Sequence, residues 1–202
     1  MSDMTNIREE KLPWNSKLAF LRGFLQHPEQ VGSVIPSSRF LEQRIVDVAS
    51  IASAKTVVEL GPGTGGTTQA ILDALQDDAK FLALELNSAF VSLLDANPDR
   101  RLIVHHGSAE NIEHILALYD IPRPDVVVSG IPFSTMPSRQ AHRILQSIWS
   151  CLTPGGHFVA YQFRGRVADL GRELFGSPEV KVELLNVPPV RLYKWRKPGP
   201  DA

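Results

Sequence analysis

The sequence feature that most constrains the fold is an apolar strand that runs into a carboxylate and then into a glycine-rich turn. Residues 57–66 have the sequence Val-Val-Glu-Leu-Gly-Pro-Gly-Thr-Gly-Gly, and a second apolar strand, twenty residues past Gly65, ends in Glu85. Glycines let the backbone approach a ligand closely, and a carboxylate at the end of the next strand can bind both hydroxyls of a ribose. The pattern therefore predicts a nucleoside-cofactor site at the carboxyl end of a parallel sheet.

Size and charge set the class of protein. A chain of 202 residues that is 43% hydrophobic is expected to form one α/β domain, and its net charge of −1 excludes a polyanion binder driven by bulk charge. The single Cys151 has no disulfide partner in the chain, and the six histidines show no metal spacing. No apolar run approaches the 18 or so residues that span a bilayer, and the polar, acidic N-terminus is unlike a secretory signal. A cytoplasmic protein without a metal is predicted.

Strand and helix patterns alternate along the chain, which predicts parallel strands joined by crossover helices. Strands are expected at 56–60, 80–85, 101–106, 124–129 and 156–163, and helices near 66–76, 88–96, 109–118, 137–151 and 166–175. Two further strands, 181–187 and 190–196, are separated only by Pro188-Pro189 and should form an antiparallel hairpin. This is an α/β fold of parallel strands closed by a hairpin.

Two helices are predicted ahead of the first strand. Ser38 is a candidate N-cap for a helix whose core-facing stripe consists of Leu41, Ile45, Val48 and Ala52. Residues 14–27 form a broad apolar arc with basic residues in and beside it, and such a helix either packs on its own domain or lies in a membrane surface. We divide the chain into an N-terminal helix and lid loop at 1–36 and a core domain at 37–202.

Two nucleoside cofactors compete for the glycine turn. Gly61, Gly63 and Gly66 satisfy the dinucleotide pattern G-x-G-x-x-G, with Glu85 at the expected distance. Glu59, however, would face a pyrophosphate badly and would suit the ammonium group of a methionine moiety. The acidic turn 107–110 is placed to contact an adenine, and the closing hairpin is not expected of a dehydrogenase half-domain. These features favour a methionine-containing nucleoside over a dinucleotide.

The same motifs resemble those of class I S-adenosylmethionine-dependent methyltransferases over residues 50–196. The resemblance implies a Rossmann-like, seven-stranded and mostly parallel sheet with an antiparallel terminal hairpin and helices on both faces. It places the methionine part of the cofactor near Glu59 and Gly61 and the ribose hydroxyls on Glu85. The other cofactor-binding residues that it implies are Pro62, Gly63, Thr64 and Gly65 in the turn, and Leu86, Ser108, Ala109 and Glu110 near the adenine.

The methyl acceptor is expected at the end of the fourth strand, in Ser129-Gly130-Ile131-Pro132-Phe133. This turn is similar to the Asn-Leu-Pro-Tyr-like turn of ribosomal RNA adenine dimethyltransferases, with Gly130 in place of Asn. Without that side chain an alkyl amine fits better than a nucleobase, and Phe133 either lies against a cation or packs in the core. His106, Tyr161 and bulk water are the candidate acceptors of the amine proton.

Together with the segments 20–25 and 32–38, these motifs resemble the bacterial phospholipid N-methyltransferases. That family transfers methyl groups to the amine of phosphatidylethanolamine, up to phosphatidylcholine, at the cytoplasmic face of the membrane, and relatives act on ornithine lipids. The resemblance implies peripheral membrane contact through residues 14–27, no nucleic-acid partner, and Ser37 or Ser38 near the cofactor carboxylate. The alternatives are methylation of RNA adenine or a soluble amine, a non-catalytic S-adenosylmethionine-binding or lipid-surface protein, and a nicotinamide oxidoreductase.

Overall fold

The computed structural model describes residues 38–199, so the predicted helix 14–27, the loop before Ser38 and the proposed role of Ser37 lie outside the described residues. The helices are α1 (Arg39–Ala49), α2 (Gly66–Ala74), α3 (Ser88–Leu94), α4 (Ile112–Leu118), α5 (Ser138–Cys151) and α6 (Arg166–Phe175), with 3-10 turns at Ile51–Ser53 and Ala109–Asn111. The strands are β1 (Thr56–Leu60), β2 (Lys80–Glu85), β3 (Leu102–His106), β4 (Val126–Ser129), β5 (His157–Gln162), β6 (Glu179–Glu183) and β7 (Val190–Arg196).

The seven strands form one sheet in the order β3-β2-β1-β4-β5-β7-β6. The first five strands pair in parallel, whereas β7 pairs antiparallel with both β5 and β6. The strand order reverses between β1 and β4, and ligands of open α/β sheets bind at such a point, outside the carboxyl ends of the strands. The predicted fold class is confirmed.

Helices cover both faces of the sheet because the central strands are apolar on both sides. All five residues of β1 are buried. One hydrophobic core lies under α4, α5 and α6, and a second lies under α1 and α2. A strand buried on both faces requires this double cover, which fixes the glycine turn after β1 between two packed layers.

Two predictions near the ends of elements need correction. The strand expected at 181–187 ends at Glu183, so the hairpin connection is a six-residue loop, 184–189, in which the Asn186 side chain accepts a hydrogen bond from the backbone N–H of Ser38. Ala52 was placed on the core-facing stripe, but it is exposed and Ile51 is buried instead. Ser50 ends α1 in the left-handed conformation, which breaks the helical periodicity before Ala52 is reached.

We call the connections at the two ends of the strands the carboxyl edge and the amino edge. The carboxyl edge consists of residues 61–65, 86–87, 107–111, 130–137, 163–165 and 184–189, and the amino edge of residues 50–55, 75–79, 95–101, 119–125, 152–156 and 176–178. The loop 184–189 belongs to the carboxyl edge because β7 starts opposite the end of β5, where Arg191 pairs with Gln162. Within residues 38–199, no helix is long and apolar enough to cross a membrane, and no group of side chains is suited to hold a metal ion.

Candidate active site

The glycine turn after β1 is held in a conformation that L side chains rarely adopt. Gly61, Gly63 and Gly65 all have positive φ, at 69°, 56° and 85°. The N–H of Gly61 donates to the Leu84 carbonyl at 2.9 Å, which extends the sheet, and the N–H of Gly65 donates to the Pro62 carbonyl at 3.1 Å, which closes the turn. Side chains at these three positions would strain the backbone, so the glycines are required by the turn itself.

Glu85 is fixed beside this turn by three backbone donors. Its Oε2 accepts a hydrogen bond from the N–H of Gly63 at 3.0 Å, and its Oε1 accepts from the N–H groups of Leu86 and Asn87, both at 2.8 Å. A carboxylate offers about four lone-pair sites, so acceptor capacity remains for hydroxyl groups of a ligand. The structure thus brings Glu85 to the glycine turn, and binding of the ribose by this residue stays a prediction.

Glu59 is the residue that most clearly requires a ligand. Its side chain is fully buried, its Oε2 accepts a hydrogen bond from the Thr68 hydroxyl at 2.6 Å, and its Oε1 has no hydrogen-bond partner. Burial raises the pKa of this carboxyl to about 8, with Glu85 and Glu42 adding to the shift and Thr68 opposing it. Because a buried acceptor without a partner is costly, a cationic N–H donor would stabilise this site. The ammonium group of a methionine moiety fits that requirement.

A third carboxylate at the turn was missed by the sequence analysis. Glu42 lies one turn into α1, and its carboxylate occupies the place where a side chain at Gly66 would be. Burial raises its pKa. The available signal was a carboxylate between Leu41 and Ile45, on the margin of the core-facing stripe, which is an unfavourable place for a charge unless it faces a functional site.

The predicted acceptor turn packs directly against the glycine turn. The N–H of Gly130 donates to the Leu60 carbonyl at 2.9 Å, and a Cβ on Gly130 would lie 2.9 Å from the Gly61 carbonyl and against the Tyr161 hydroxyl. The amide of Gln162, a second residue that the sequence analysis missed, donates to the Ile131 carbonyl at 2.7 Å. Thus the Tyr161 hydroxyl lies where an asparagine side chain would begin, which explains why this chain has Gly130.

Two predicted roles around the acceptor turn, those of Phe133 and Tyr161, need correction. Phe133 is fully buried in the hydrophobic core, so it packs there and does not face a cation. Burial, followed by the charge of Glu59, raises the pKa of Tyr161, so its phenol stays neutral and is not a base. Ser129 is also fully buried, and its hydroxyl accepts a hydrogen bond from the N–H of Ile131 at 3.3 Å. Pro132 is exposed beside this turn.

His106 lies too far from the acceptor turn to take the amine proton. It ends β3, which is separated from β4 by β2 and β1. Neighbouring strands are about 4.8 Å apart, so three spacings put His106 about 14 Å from Gly130. Its Nε2 lies 2.9 Å from the carbonyl of Leu86, at the adenine end of the predicted crevice.

The turn after β3 is built differently from the prediction. Ser108 caps the 3-10 turn by accepting from the N–H of Glu110, and Ala109 is buried. The Glu110 carboxylate is bound by Arg143 at 2.6 Å and by Gln140 at 3.0 Å, and the Arg143 guanidinium lowers its pKa. A carboxylate committed to α5 is a poor adenine ligand, so this part of the predicted role is disfavoured.

Ser38 serves as the helix cap that the sequence predicts. Its hydroxyl accepts from the N–H of Leu41 at 3.2 Å at the start of α1. The proposed contact between Ser38 and the cofactor carboxylate remains a prediction.

A family model described as a methyltransferase domain matches residues 58–158, which include the glycine turn, Glu85 and the acceptor turn. The chain belongs to this methyltransferase family, and it is an S-adenosylmethionine-dependent enzyme. Gly61, Gly63, Glu59 and Glu85 are therefore candidate contacts for this cofactor.

The relatives of this chain include a lipid methyltransferase and ribosomal RNA methyltransferases. An ornithine lipid N-methyltransferase from Singulisphaera acidiphila is 32% identical over 177 residues, which cover 86% of this chain and 92% of that protein. A ribosomal RNA small subunit methyltransferase A from Cutibacterium acnes is 27% identical over 174 residues, which cover 79% of this chain and 55% of that protein.

Among solved structures, the N-methyltransferase NodS from Bradyrhizobium japonicum, in complex with S-adenosyl-L-homocysteine, superimposes with a TM-score of 0.63 at 12% identity. The match covers 92% of this chain and 96% of that one, and it supports the fold.

Proposed function

We propose that this protein is an N-methyltransferase whose acceptor is the amine headgroup of a membrane lipid. The acceptors proposed are phosphatidylethanolamine and its methylated forms, with phosphatidylcholine as the final product, and ornithine lipid as the other primary amine to test. The observation that carries the proposal is the pairing of Gly130 with the Tyr161 hydroxyl at the point where donor and acceptor must meet.

This pairing favours an alkyl amine over the exocyclic amine of a nucleobase. An asparagine amide in a flat turn offers both a donor and an acceptor to a planar base edge, and Gly130 removes both. A neutral phenol at that place offers one oxygen, which can accept a hydrogen bond from an amine N–H in any orientation about the C–N bond. The carbonyl groups of the turn can accept the remaining hydrogen.

The extent of the similarity also supports a lipid acceptor. The chain aligns along nearly the whole ornithine lipid enzyme but spans about half the length of the ribosomal RNA enzyme from C. acnes. Ornithine lipid and phosphatidylethanolamine both present a primary alkyl amine on a flexible headgroup. We propose a location on the cytoplasmic face of the membrane, with residues 14–27 as a peripheral contact.

The reaction proposed is an in-line displacement. S-adenosylmethionine supplies an electrophilic methyl group when it is bound. The residues of the chain contribute alignment, since Gly61 and Gly130 lie against each other and bring the two sites into register. Such alignment can be worth about 7–11 kcal/mol. The neutral amine forms the new N–C bond as the C–S bond breaks. In the first two transfers the resulting ammonium group releases a proton to water, and in the third it becomes quaternary without losing a proton.

Labelled methyl transfer tests the proposal. Vesicles with phosphatidylethanolamine or ornithine lipid, free ethanolamine and unmethylated small-subunit ribosomal RNA are each incubated with the enzyme and labelled S-adenosylmethionine. We expect the wild-type enzyme to transfer labelled methyl groups to the lipid fraction and the Glu85→Ala variant to lose this transfer. Label in the RNA or in ethanolamine, with none in either lipid, would refute the lipid acceptor while leaving the methyltransferase class intact.

A further inference from the structure

Exposed apolar side chains are concentrated at one edge of the sheet. Among residues 38–199, ten large apolar side chains are exposed: Phe40, Leu86, Leu118, Tyr119, Phe163, Val180, Val182, Leu184, Leu185 and Val187. Four of the ten lie away from the carboxyl edge, on α4, on β6 or just after α4. Five lie in its connections, and Phe40 lies beside it, because the N–H of Ser38 bonds to Asn186 of the loop 184–189. Single exposed apolar residues are ordinary, whereas a cluster marks an interaction site.

Three of the four most exposed of these side chains lie in one loop, whereas the fourth, Leu86, follows β2 at a distant part of the same edge. Leu184 is 72% exposed, Leu185 is 63% exposed and Val187 is 86% exposed, all in the loop 184–189. The backbone of the loop is held from below: Glu183 accepts from the N–H of Leu185, and the Asn186 amide donates to the Pro188 carbonyl. A loop tied at its base, with apolar side chains at its tip, presents those side chains without losing its shape.

Three arginines, Arg39, Arg164 and Arg191, are exposed at or next to this edge. Glu183, directly before the loop, is buried and paired with Arg44. Arg39 lies over the ring of Phe40, with its guanidinium 5.0 Å from the ring centre, and Arg191 donates to the carbonyl of Phe163. Apolar tips flanked by arginines match the chemistry of a bilayer that contains anionic lipids, in which the apolar groups enter the acyl boundary and the arginines meet the headgroups.

A membrane contact at the loop would bring the lipid headgroups close to the active site. The loop and the acceptor turn project from the same edge, and the hairpin β6–β7 follows β5, the neighbour of β4. With strands about 4.8 Å apart, the loop lies about 10–14 Å from Gly130. A bilayer in contact with the loop would therefore lie within reach of a headgroup that enters the site. Ser38, the first described residue, lies at this edge as well, because its N–H bonds to Asn186 of the loop.

We propose that the loop 184–189, with Phe40 and Phe163, is a membrane-insertion surface that positions the active site over the bilayer, in addition to any contact by residues 14–27. The proposal rests on the lipid substrate proposed above.

Vesicle binding of the full chain tests this surface. Leu118 provides a matched control, because it is 61% exposed but ends α4 at the amino edge. On vesicles of phosphatidylethanolamine and phosphatidylglycerol, Leu184→Ser with Leu185→Ser should weaken partitioning by at least about tenfold, because both substitutions remove apolar area that the bilayer would bury. Leu118→Ser should partition like wild type. Equal partitioning of all three proteins, or an equal loss in both variants, would overturn the proposal.

A fluorescent label shows directly what covers the loop. Cys151 is buried, and burial raises the pKa of its thiol to about 12, so a thiol-reactive dye will label an introduced cysteine selectively. With the dye on Leu185→Cys, we expect a blue shift on adding vesicles, and no shift with the dye on Leu118→Cys. Blue-shifted emission at position 185 before vesicles are added would mean that another part of the chain or a second copy covers the loop, and would overturn the proposal.

The two proposals fail separately. Methyl transfer to phosphatidylethanolamine in detergent micelles tests the substrate without a bilayer, and dye emission tests the surface without turnover. Transfer in micelles with no dye shift on vesicles refutes the membrane surface, and a dye shift without transfer to either lipid refutes the proposed function.

Discussion

The two edges of the sheet differ in chemistry although they are built from connections of similar length. The amino edge contains ten charged residues: Lys55, Asp77, Asp78, Asp95, Asp99, Arg100, Arg101, Asp120, Arg123 and Asp125. The connections of the carboxyl edge contain two, Glu110 and Arg164, and Glu110 is paired with Arg143.

The carboxylates at the two edges have different tasks. At the amino edge, Asp125 accepts hydrogen bonds from the N–H groups of Lys55 and Thr56, at 2.9 and 3.0 Å, and so ties β1 to β4. At the carboxyl edge, Glu59 is buried with an oxygen left unpaired, and Glu85 is aimed at a glycine turn. Asp125 is satisfied by protein donors, whereas Glu59 keeps one oxygen unpaired, which indicates that the carboxyl edge is the functional one.

The largest effect is expected on cofactor affinity, when Glu85 at the carboxyl edge and Asp125 at the amino edge are each replaced by alanine. Glu85→Ala removes the carboxylate that anchors Gly63 and that we predict to bind the ribose hydroxyls. It should weaken S-adenosylhomocysteine binding by about 100-fold, because charge-assisted hydrogen bonds are worth about 1.5–3 kcal/mol each. Asp125→Ala should lower the free energy of unfolding by about 1–3 kcal/mol and leave the affinity unchanged. Calorimetry and denaturant titration measure both. If the two variants lose affinity equally, the contrast between the edges is wrong.

The next comparison is between two glycines. Gly130→Ala should lower kcat by at least about tenfold, because the new methyl group collides with the Gly61 carbonyl and the Tyr161 hydroxyl and shifts the acceptor turn. Gly155 has a φ of +82° with open space around it, so Gly155→Ala should cost about 1 kcal/mol of stability and no activity. Steady-state kinetics on micellar lipid separates the two. Normal turnover in Gly130→Ala would remove Gly130 from the acceptor site.

Glu59 predicts a loss of stability as pH rises, which is opposite in sign to the effect of Asp99 at the amino edge, whose pKa is lowered by Arg101. Its pKa is raised from 4.5 to about 8, so the unfolded chain loses this proton first. The contribution of Glu59 to stability is therefore full below about pH 4.5 and is lost as pH rises to about 8, by at most about 1.4 kcal/mol per pH unit.

Glu59→Gln should abolish this part of the pH dependence in denaturant titrations between pH 5 and 8. Binding of a cationic ligand beside Glu59 should also release a proton at pH 7, which calorimetry in buffers of different ionisation enthalpy detects. Identical pH profiles of stability and the same proton release in wild type and Glu59→Gln would contradict the assigned role.

The smallest expected effect compares two exposed arginines. Arg164→Gln at the carboxyl edge should weaken binding to anionic vesicles by about fivefold, since a basic residue near an anionic surface contributes about 1 kcal/mol. Arg123→Gln at the amino edge should have no effect. Sedimentation with vesicles at low and high salt measures both, and the difference should vanish at high salt. If Arg123→Gln weakens vesicle binding as much as Arg164→Gln does, exposed basic residues contribute equally at both edges and the proposed contrast is wrong.

The sequence predicted the sheet and the cofactor turn because both depend on local patterns. Buried strands are apolar runs, and the positive φ angles of the turn require glycine. The partners of Glu110 and the burial of Phe133 could not be predicted, because α5 and the core approach them from distant parts of the chain.

The contact between Tyr161 and Gly130 could be predicted only in part. Both residues were candidates from sequence, but their contact depends on β4 and β5 being neighbours in the sheet. Glu42 was missed for a similar reason, since it reaches the site only through the packing of α1 against α2.

Hydrogen–deuterium exchange tests the functional contrast between the edges most directly. Exchange is measured on the full chain alone, with S-adenosylhomocysteine, and with vesicles that contain phosphatidylethanolamine and phosphatidylglycerol. The account predicts slower exchange in residues 61–65, 86–87 and 130–137 with S-adenosylhomocysteine, slower exchange in residues 184–189 with vesicles, and no change in residues 75–79, 95–101 and 119–125. Protection at the amino edge, or none in the glycine turn, would contradict it.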